Sequence, residues 1–253
     1  MKVILLGSGT SQGVPVIACQ CDVCKSENQR DKRLRSSILI EDGETTLVVD
    51  TGPDFRQQML TNNVTKLTAV LFTHEHKDHT AGLDDVRSFN FAQKKPMDVY
   101  AEERVQESLK REFLYAFNES PYPGVPSINL KLLENKPFVV ENTRIIPVRL
   151  MHYKLPIFGF RIGDFAYLTD VKTIPEAELG KLTNLKILII TTLRKEPHIS
   201  HMNLEEALET IKLLKPQKAY LTHISHVFGF HDKINTELPA NVELAYDGLT
   251  INL

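Results

Sequence analysis

Between residues 73 and 79 the chain reads Thr-His-Glu-His-Lys-Asp-His, directly behind the apolar run Ala69–Phe72. Three imidazoles and a carboxylate (His74, His76, Asp78 and His79) supply the ligand set that zinc and similar borderline metals prefer. A solvated polar loop is the plain alternative, but four such groups packed behind an apolar strand weigh against it. In an irregular loop His74 and His76 can converge on one metal, with Asp78 and His79 placed for a second. The loop alone cannot close two coordination shells, so further ligands must arrive from elsewhere. The remaining candidates share one property: each follows a short apolar run. His152 follows Ile145–Leu150, Asp170 follows Phe165–Leu168, His223 follows Tyr220–Leu221, and Asp50 follows Thr46–Val49. Taken singly, His152 or His223 reads as a satisfied core histidine. As a set, they predict strands that end at one edge of a sandwich and a two-metal centre on that rim.

The rest of the chain agrees with such a sandwich. Short β-branched runs recur, among them Val3–Leu6, Ser37–Ile40, Val99–Ala101, Phe138–Val140, Phe158–Ile162, Ile187–Ile190, Glu243–Ala245 and Leu249–Ile251. Turn residues such as Glu41-Asp42-Gly43 and Ile162-Gly163-Asp164 flank several of them. Many strands with few helices predict two packed sheets with helices outside them. The expected fold class is therefore α/β, a four-layer αβ/βα sandwich, built as a single domain over residues 1–253. The clearest helix starts at Asn203, which with Glu206 forms a capping-box pattern; Leu204, Ala207, Leu208, Ile211 and Leu214 follow at helical spacing and Pro216 ends it. A second helix is expected from Glu102 to about Tyr115. A third is expected to take Pro53 as its first residue and to carry Phe55, Met59 and Leu60. The stretch 118–126 is Pro-rich and reads as an extended loop, with Tyr122–Pro126 a candidate cap over the site or contact for a partner subunit.

Charge and cysteine usage narrow the function. The 253 residues carry 30 Lys+Arg against 32 Asp+Glu, a formal net charge of −2, which argues against a protein that coats nucleic acid or an anionic membrane. No apolar run approaches the roughly 18 residues of a membrane span, and Val3–Leu6 is too short for a signal peptide. The three cysteines, Cys19, Cys21 and Cys24, lie within six residues of one another. A disulfide framework would spread them out, so a metal-binding thiolate cluster in a reduced, cytoplasmic protein is expected.

His74-Glu-His76-Lys-Asp78-His79 is similar to the His-x-His-x-Asp-His signature of the metallo-β-lactamase-fold hydrolases, and the resemblance extends over the whole chain. It implies one metal on His74, His76 and His152, a second on Asp78, His79 and His223, and Asp170 bridging them. Asp50 takes the place of the family's buried carboxylate that orients the ligand loop. The flavodiiron branch of this superfamily has a carboxylate where His76 stands, and is disfavoured. Cys19-x-Cys21-x-x-Cys24 together with His226, three residues after His223, makes a closed set of three thiolates and one imidazole typical of structural zinc. Three buried apolar thiols are the alternative, but Gln20, Asp22 and Lys25 are polar neighbours for such a cluster.

This combination, with Leu6-Gly-Ser-Gly-Thr-Ser-Gln-Gly-Val-Pro15, Arg35-Ser-Ser37, Asp50-Thr-Gly-Pro-Asp-Phe-Arg56 and Ala81-Gly-Leu-Asp-Asp-Val-Arg87, resembles the phosphoribosyl 1,2-cyclic phosphate phosphodiesterases. The cysteine segment also occurs in pyrroloquinoline quinone biosynthesis proteins of the same fold. The resemblance implies a dinuclear phosphodiesterase acting on a small cyclic phosphodiester by a metal-bridging hydroxide, with two divalent ions (Zn or Mn) at the active centre and one structural Zn. Asp78 would orient the nucleophile as well as serve as a ligand. His201 would protonate the leaving alkoxide, with His198 as a nearby competitor. His231 reads as a surface or substrate-loop residue, and Arg87 as a partner of Asp84 or Asp85. The amides of Gly9-Thr10-Ser11 either contact an anionic substrate or serve turn geometry alone. A small-molecule substrate is the expected partner, and a homodimer is expected by analogy. Three other functions stay open: a ribonuclease Z-like RNA phosphodiesterase, which would need a flexible arm and a basic surface; a thioester or lactone hydrolase; and a non-catalytic metal-binding protein.

Overall fold

The computed structural model describes residues 1–118 and 123–253. The described residues form fourteen strands. The first six are β1 (Lys2–Gly7), β2 (Ser37–Asp42), β3 (Thr45–Val49), β4 (Ala69–Leu71), β5 (Met97–Ala101) and β6 (Ile128–Leu132). The next seven are β7 (Phe138–Val140), β8 (Thr143–His152), β9 (Leu155–Ile162), β10 (Phe165–Leu168), β11 (Ile187–Thr191), β12 (Lys218–Thr222) and β13 (Val242–Leu244), and β14 (Thr250–Asn252) closes the series. They pair into two seven-stranded sheets, in the orders β14-β1-β2-β3-β4-β5-β6 and β13-β12-β11-β10-β9-β8-β7. Each sheet is antiparallel at one side and parallel at the other: β3 to β6 run parallel, as do β10 to β13.

The strand sequences dictate this layering. Ile38, Ile40, Leu47, Val49 and Leu71 point inward and meet Phe158, Phe160, Phe165 and Tyr167 of the other sheet. Their odd-step neighbours Leu39, Val48 and Val70 point outward, under helices. Apolar residues on both sides of a strand are what a sheet covered on both faces requires. On the outer side of the first sheet, Phe55, Phe89, Val105 and Leu109 complete the core. They come from helices Phe55–Thr61, Arg87–Gln93 and Glu103–Glu112. On the second sheet the cover is Ala207, Ile211 and Ile234, from helices Leu204–Leu214 and His231–Glu237. The result is the four-layer sandwich. No helix among the described residues is long and apolar enough to cross a membrane.

Local signals held where their partners were local. Asn203 accepts from the Glu206 amide at 3.0 Å while the Glu206 carboxylate accepts from the Asn203 amide at 2.9 Å. Elsewhere tertiary contacts moved the boundaries. The third helix begins at Phe55 rather than Pro53, and Asp54, which stands at its cap, gives its carboxylate to the Arg35 amide and guanidinium instead. The helix expected over 102–115 stops at Glu112, and a separate turn runs Leu114–Phe117. Strand β6 was not read from the sequence; its edge position leaves Leu132 largely exposed, so its pattern is only half apolar. Tyr122 of the expected capping loop lies outside the described residues.

Candidate metal centre

All the ends that matter lie on one rim. Asp50 follows β3, Thr73 and His74 follow β4, His152 closes β8, Asp170 follows β10, and His223 follows β12. Parallel strands present their carboxyl ends together, which is why open α/β sheets place sites there. Three of these residues bend the chain sharply: Asp50, Asp170 and His223 have φ of 65°, 58° and 61°, a left-handed backbone that non-glycine residues avoid. Strain of this kind persists where the side chain's position matters. Sequence patterns gave no sign of it.

The rings of His74, His76 and His152 form a triangle, with centroids 4.5, 5.2 and 5.7 Å apart. A second group faces it. His79 Nε2 lies 3.1 Å from an Asp78 oxygen and 3.2 Å from an Asp170 oxygen, and His223 Nδ1 is 3.3 Å from that same Asp170 oxygen. The grouping differs in one detail from the expected partition. The ligand atom of His79 clusters with His74 and Asp170, while Asp78, Asp170 and His223 form a group of their own. Asp170 lies between both.

The protonation states suit cations. Burial works against charge on Asp170 and Asp78, yet the imidazoles of His223 and His79 hold both carboxyls below the usual carboxylate range. Burial also pushes His74, His76 and His223 down, which favours the neutral imidazole that a cation requires. Burial opposes charge on His79 too, but Asp170, Asp78 and Asp50 outweigh it and raise the imidazole. Metal ligands must be deprotonated, and a cation here would take the place of that proton. The buried Nε2 atoms of His74 and His79 have no hydrogen-bond partner. An orphaned pair of imidazole nitrogens facing two carboxylates fits divalent ions well.

A layer behind these groups aims them. Asp50, fully buried, accepts from the Thr73 amide (2.9 Å), the Thr73 hydroxyl (2.8 Å) and His79 Nδ1 (2.7 Å). Thr73 Oγ1 also sits 2.9 Å from His74 Nδ1, and the Ser200 carbonyl accepts from His152 Nδ1 at 2.8 Å. Thr169 donates to Asp170 at 2.7 Å, and Ser36 and Thr10 flank the His223 ring at 3.2 Å each. Thr73, Ser36, Thr10 and Ser200 were missed by sequence reasoning, because a hydroxyl or carbonyl carries no metal-like signature of its own. Arg104 pairs with Glu75 at 2.8 Å and donates to the Pro156 carbonyl at 2.7 Å, fastening the histidine loop to the second sheet.

Gly52 lets this loop close. A Cβ there would stand 2.2 Å from the Asp78 carbonyl oxygen and 3.2 Å from its carbonyl carbon, backbone atoms that cannot swing aside. Gly52→Ala is expected to destabilise the fold by about 1–3 kcal/mol in urea denaturation and to lower turnover roughly a hundredfold. Unchanged turnover would show that the loop does not need this approach.

His201 lies beside the rim, with Nδ1 3.7 Å from Asp170 Oδ1 and no hydrogen-bond partner, and its ring stacks 4.8 Å from His223. Burial, then the neighbouring His223, pushes it down to about 2. His198 stands 5.3 Å further out. Other expectations need correction. His231 is buried rather than a surface residue, its ring held between Arg33 (3.1 Å) and Asn235 (2.9 Å). The Gly9 and Thr10 amides are spent on the carbonyls of Leu34 and Ile224, so neither is free to bind an anion. The expected pairing of Arg87 is present, with Asp84 at 3.4 Å.

The cysteines form a second cluster. His226 Nδ1 lies 3.3, 3.4 and 3.5 Å from the sulfurs of Cys19, Cys21 and Cys24. Cys21 caps the short helix Asp22–Lys25, and the Cys24 amide and His226 bring its thiol down to about 6. Burial pushes Cys24 up to about 11. Three sulfurs around one imidazole nitrogen at these separations fit a tetrahedral ion.

The beta-lactamase superfamily domain model matches residues 45–224. A protein of Porphyromonas gingivalis named octanoyltransferase is 42% identical over 252 residues, 98% of this chain but 51% of that protein, so the chain spans about half the length of this relative. A crystal structure of a new diphosphatase from the PhnP family shares 36% identity, covers 100% of this chain and 97% of its own, and superimposes with a TM-score of 0.93. Zinc-bound PqqB from Methylobacterium extorquens, at 20% identity with full coverage of both chains and a TM-score of 0.81, shares the fold. A family model matched over most of the chain leads to one conclusion: this chain belongs to the beta-lactamase superfamily.

Proposed function

We propose that this chain hydrolyses a small cyclic phosphodiester such as phosphoribosyl 1,2-cyclic phosphate. The observation that carries the reading is the meeting, on one rim, of carboxylates kept ionised and imidazoles kept neutral, from both sheets. The likeness to a PhnP-family diphosphatase supports a phosphorus ester or anhydride as the substrate. His74, His76 and His152 would hold one divalent ion, Asp78, His79 and His223 a second, with Asp170 between them; Cys19, Cys21, Cys24 and His226 would hold a structural zinc. Bound there, two such ions supply Lewis acidity and hydroxide at neutral pH.

The chain's own residues do the rest. Asp50 and Thr73 fix the orientation of His79 and His74 through their Nδ1 atoms. Asp78 holds the attacking oxygen in line. With its ring kept neutral by burial in the free protein, His201 relays a proton from solvent water to the leaving alkoxide. His201→Ala is expected to slow an alkyl cyclic phosphodiester about a hundredfold and a bis-aryl phosphodiester, whose leaving group needs no proton, less than threefold. Equal slowing of the two would remove His201 from this role.

A second reading rests on the octanoyltransferase relative: hydrolysis of an octanoyl thioester. One panel separates the two. Ribose 1,2-cyclic phosphate, a 2′,3′-cyclic nucleotide and an octanoyl thioester are assayed with metal content known. Turnover of the thioester alone would replace the phosphodiesterase reading.

A further inference from the structure

Of the imidazoles proposed as ligands on the rim, His76 is the one whose ring has no hydrogen-bond partner among the described residues. Thr73 stands beside His74, Asp50 accepts from His79, and the Ser200 carbonyl accepts from His152. Ser36 and Thr10 flank His223. The exposed ring of His76 meets those of His74 and His152, with centroids 4.5 and 5.2 Å away. A metal-binding imidazole is normally aimed by a partner on its other nitrogen. The aim of His76 has to come from its backbone.

That backbone is held on both sides, by one helix. Arg104 donates to the carboxylate of Glu75, the residue before His76, at 2.8 Å. Glu112 forms an ion pair with Lys77, the residue after it. Arg104 and Glu112 stand in the first and last turns of the helix Glu103–Glu112. A helix favours acids at its start and bases at its end, and Glu103, Lys110 and Arg111 comply. Arg104 and Glu112 run the other way, and they are the two that reach the histidine loop. Charges set against the helix dipole point to a gain made outside the helix.

We propose that this helix is a splint for His76, with Arg104 and Glu112 as positioning residues for the ion given above to His74, His76 and His152. The second acceptor of Arg104, the Pro156 carbonyl at 2.7 Å, belongs to the residue opposite Met151 in the β8–β9 ladder, one step from His152. Arg104 therefore sets the loop against the strand pair that carries the facing ligand. The inference rests on the two-ion reading of the rim, and adds to it two residues that touch neither ion nor substrate. A helix that spends its end charges on a neighbouring site trades stability for function.

Zinc titrated into the metal-free full chain, followed by calorimetry, tests this without any substrate. Arg104→Met and Glu112→Gln are each expected to weaken one zinc site about tenfold and to leave the chain's other zinc sites within about twofold. The metal-free Tm should hold within about 4 °C, because the ion pairs lost are part-exposed and the helix ends gain. A purely structural role would instead lower Tm and weaken every site. Lys110→Met, which removes an exposed charge from the same helix, is expected to bind zinc as the parent does. Undiminished binding in the two variants, or weakening spread equally over all sites, overturns the splint. If the parent itself takes up zinc at the cysteine cluster alone, the two-ion reading falls and the splint with it. If the parent fills the rim and the variants fill it equally well, that reading stands and the splint alone is removed.

Discussion

Asp170→Asn is expected to give a folded protein with hydrolysis lowered about a thousandfold or more and with fewer bound ions per chain. Of the four donor groups on the rim among the described residues, three include Asp170: those with His74 and His79, with His152 and His201, and with Asp78 and His223. Asparagine keeps the shape and the acceptor from Thr169 but loses the negative charge that two cations would share. Removing one preorganised electrostatic partner typically costs about a hundredfold to a thousandfold, and a shared ligand should cost more. Circular dichroism checks the fold, elemental analysis the ions, and initial rates the chemistry. Full metal content with rates within tenfold of the parent would mean that the rim does not work as a pair of joined sites.

The second large effect is expected at the cysteine cluster. Cys24→Ser is expected to remove one zinc per chain and to lower Tm by about 6–12 °C. That corresponds to about 3 kcal/mol at the roughly 2–4 °C per kcal/mol usual for chains of 150–250 residues. Structural zinc in small peptides contributes far more, but here the bulk of the chain has its own core and only the N-terminal loop depends on the ion. The loop cannot leave quietly. Lys32 donates to the Cys24 carbonyl at 3.1 Å, and Val14 and Arg33 bond one another through their backbones at 2.7 and 2.8 Å. Since His226 follows His223 by three residues, turnover should also fall, though less than in Asp170→Asn. A variant with unaltered Tm and unaltered zinc content would dismiss the cluster as a metal site.

Much of this architecture was legible because its signals were short-range. Apolar runs located thirteen of the strands, and the capping box placed the helix at Asn203, since each depends on residues a few positions apart. The candidate ligands could be listed for a similar reason: His, Cys and Asp advertise their chemistry by type, and His152, Asp170 and His223 each close or follow a strand. What escaped was made at a distance. His231 looks polar beside Asp232 and Lys233, but its burial is created by Arg33, almost two hundred positions earlier. Asp54 looks like a helix cap, and Arg35 claims it. The Gly9 and Thr10 amides look available until Leu34 and Ile224 arrive. Thr73, which joins Asp50 to His74, is one threonine among many until the fold puts it between them.

The histidine loop hangs from the first sheet, and His152, Asp170 and His223 hang from the second. The gap between the two sets is therefore fixed by the thickness of the layer beneath, where Phe158, Phe160 and Tyr167 meet Ile38, Leu47 and Leu71. Close-packed interiors transmit volume changes rather than absorb them. Catalytic tuning in this protein can thus come from greasy residues with no view of solvent: trimming or swelling a side chain mid-slab would act on the rim as a shim acts on a vice.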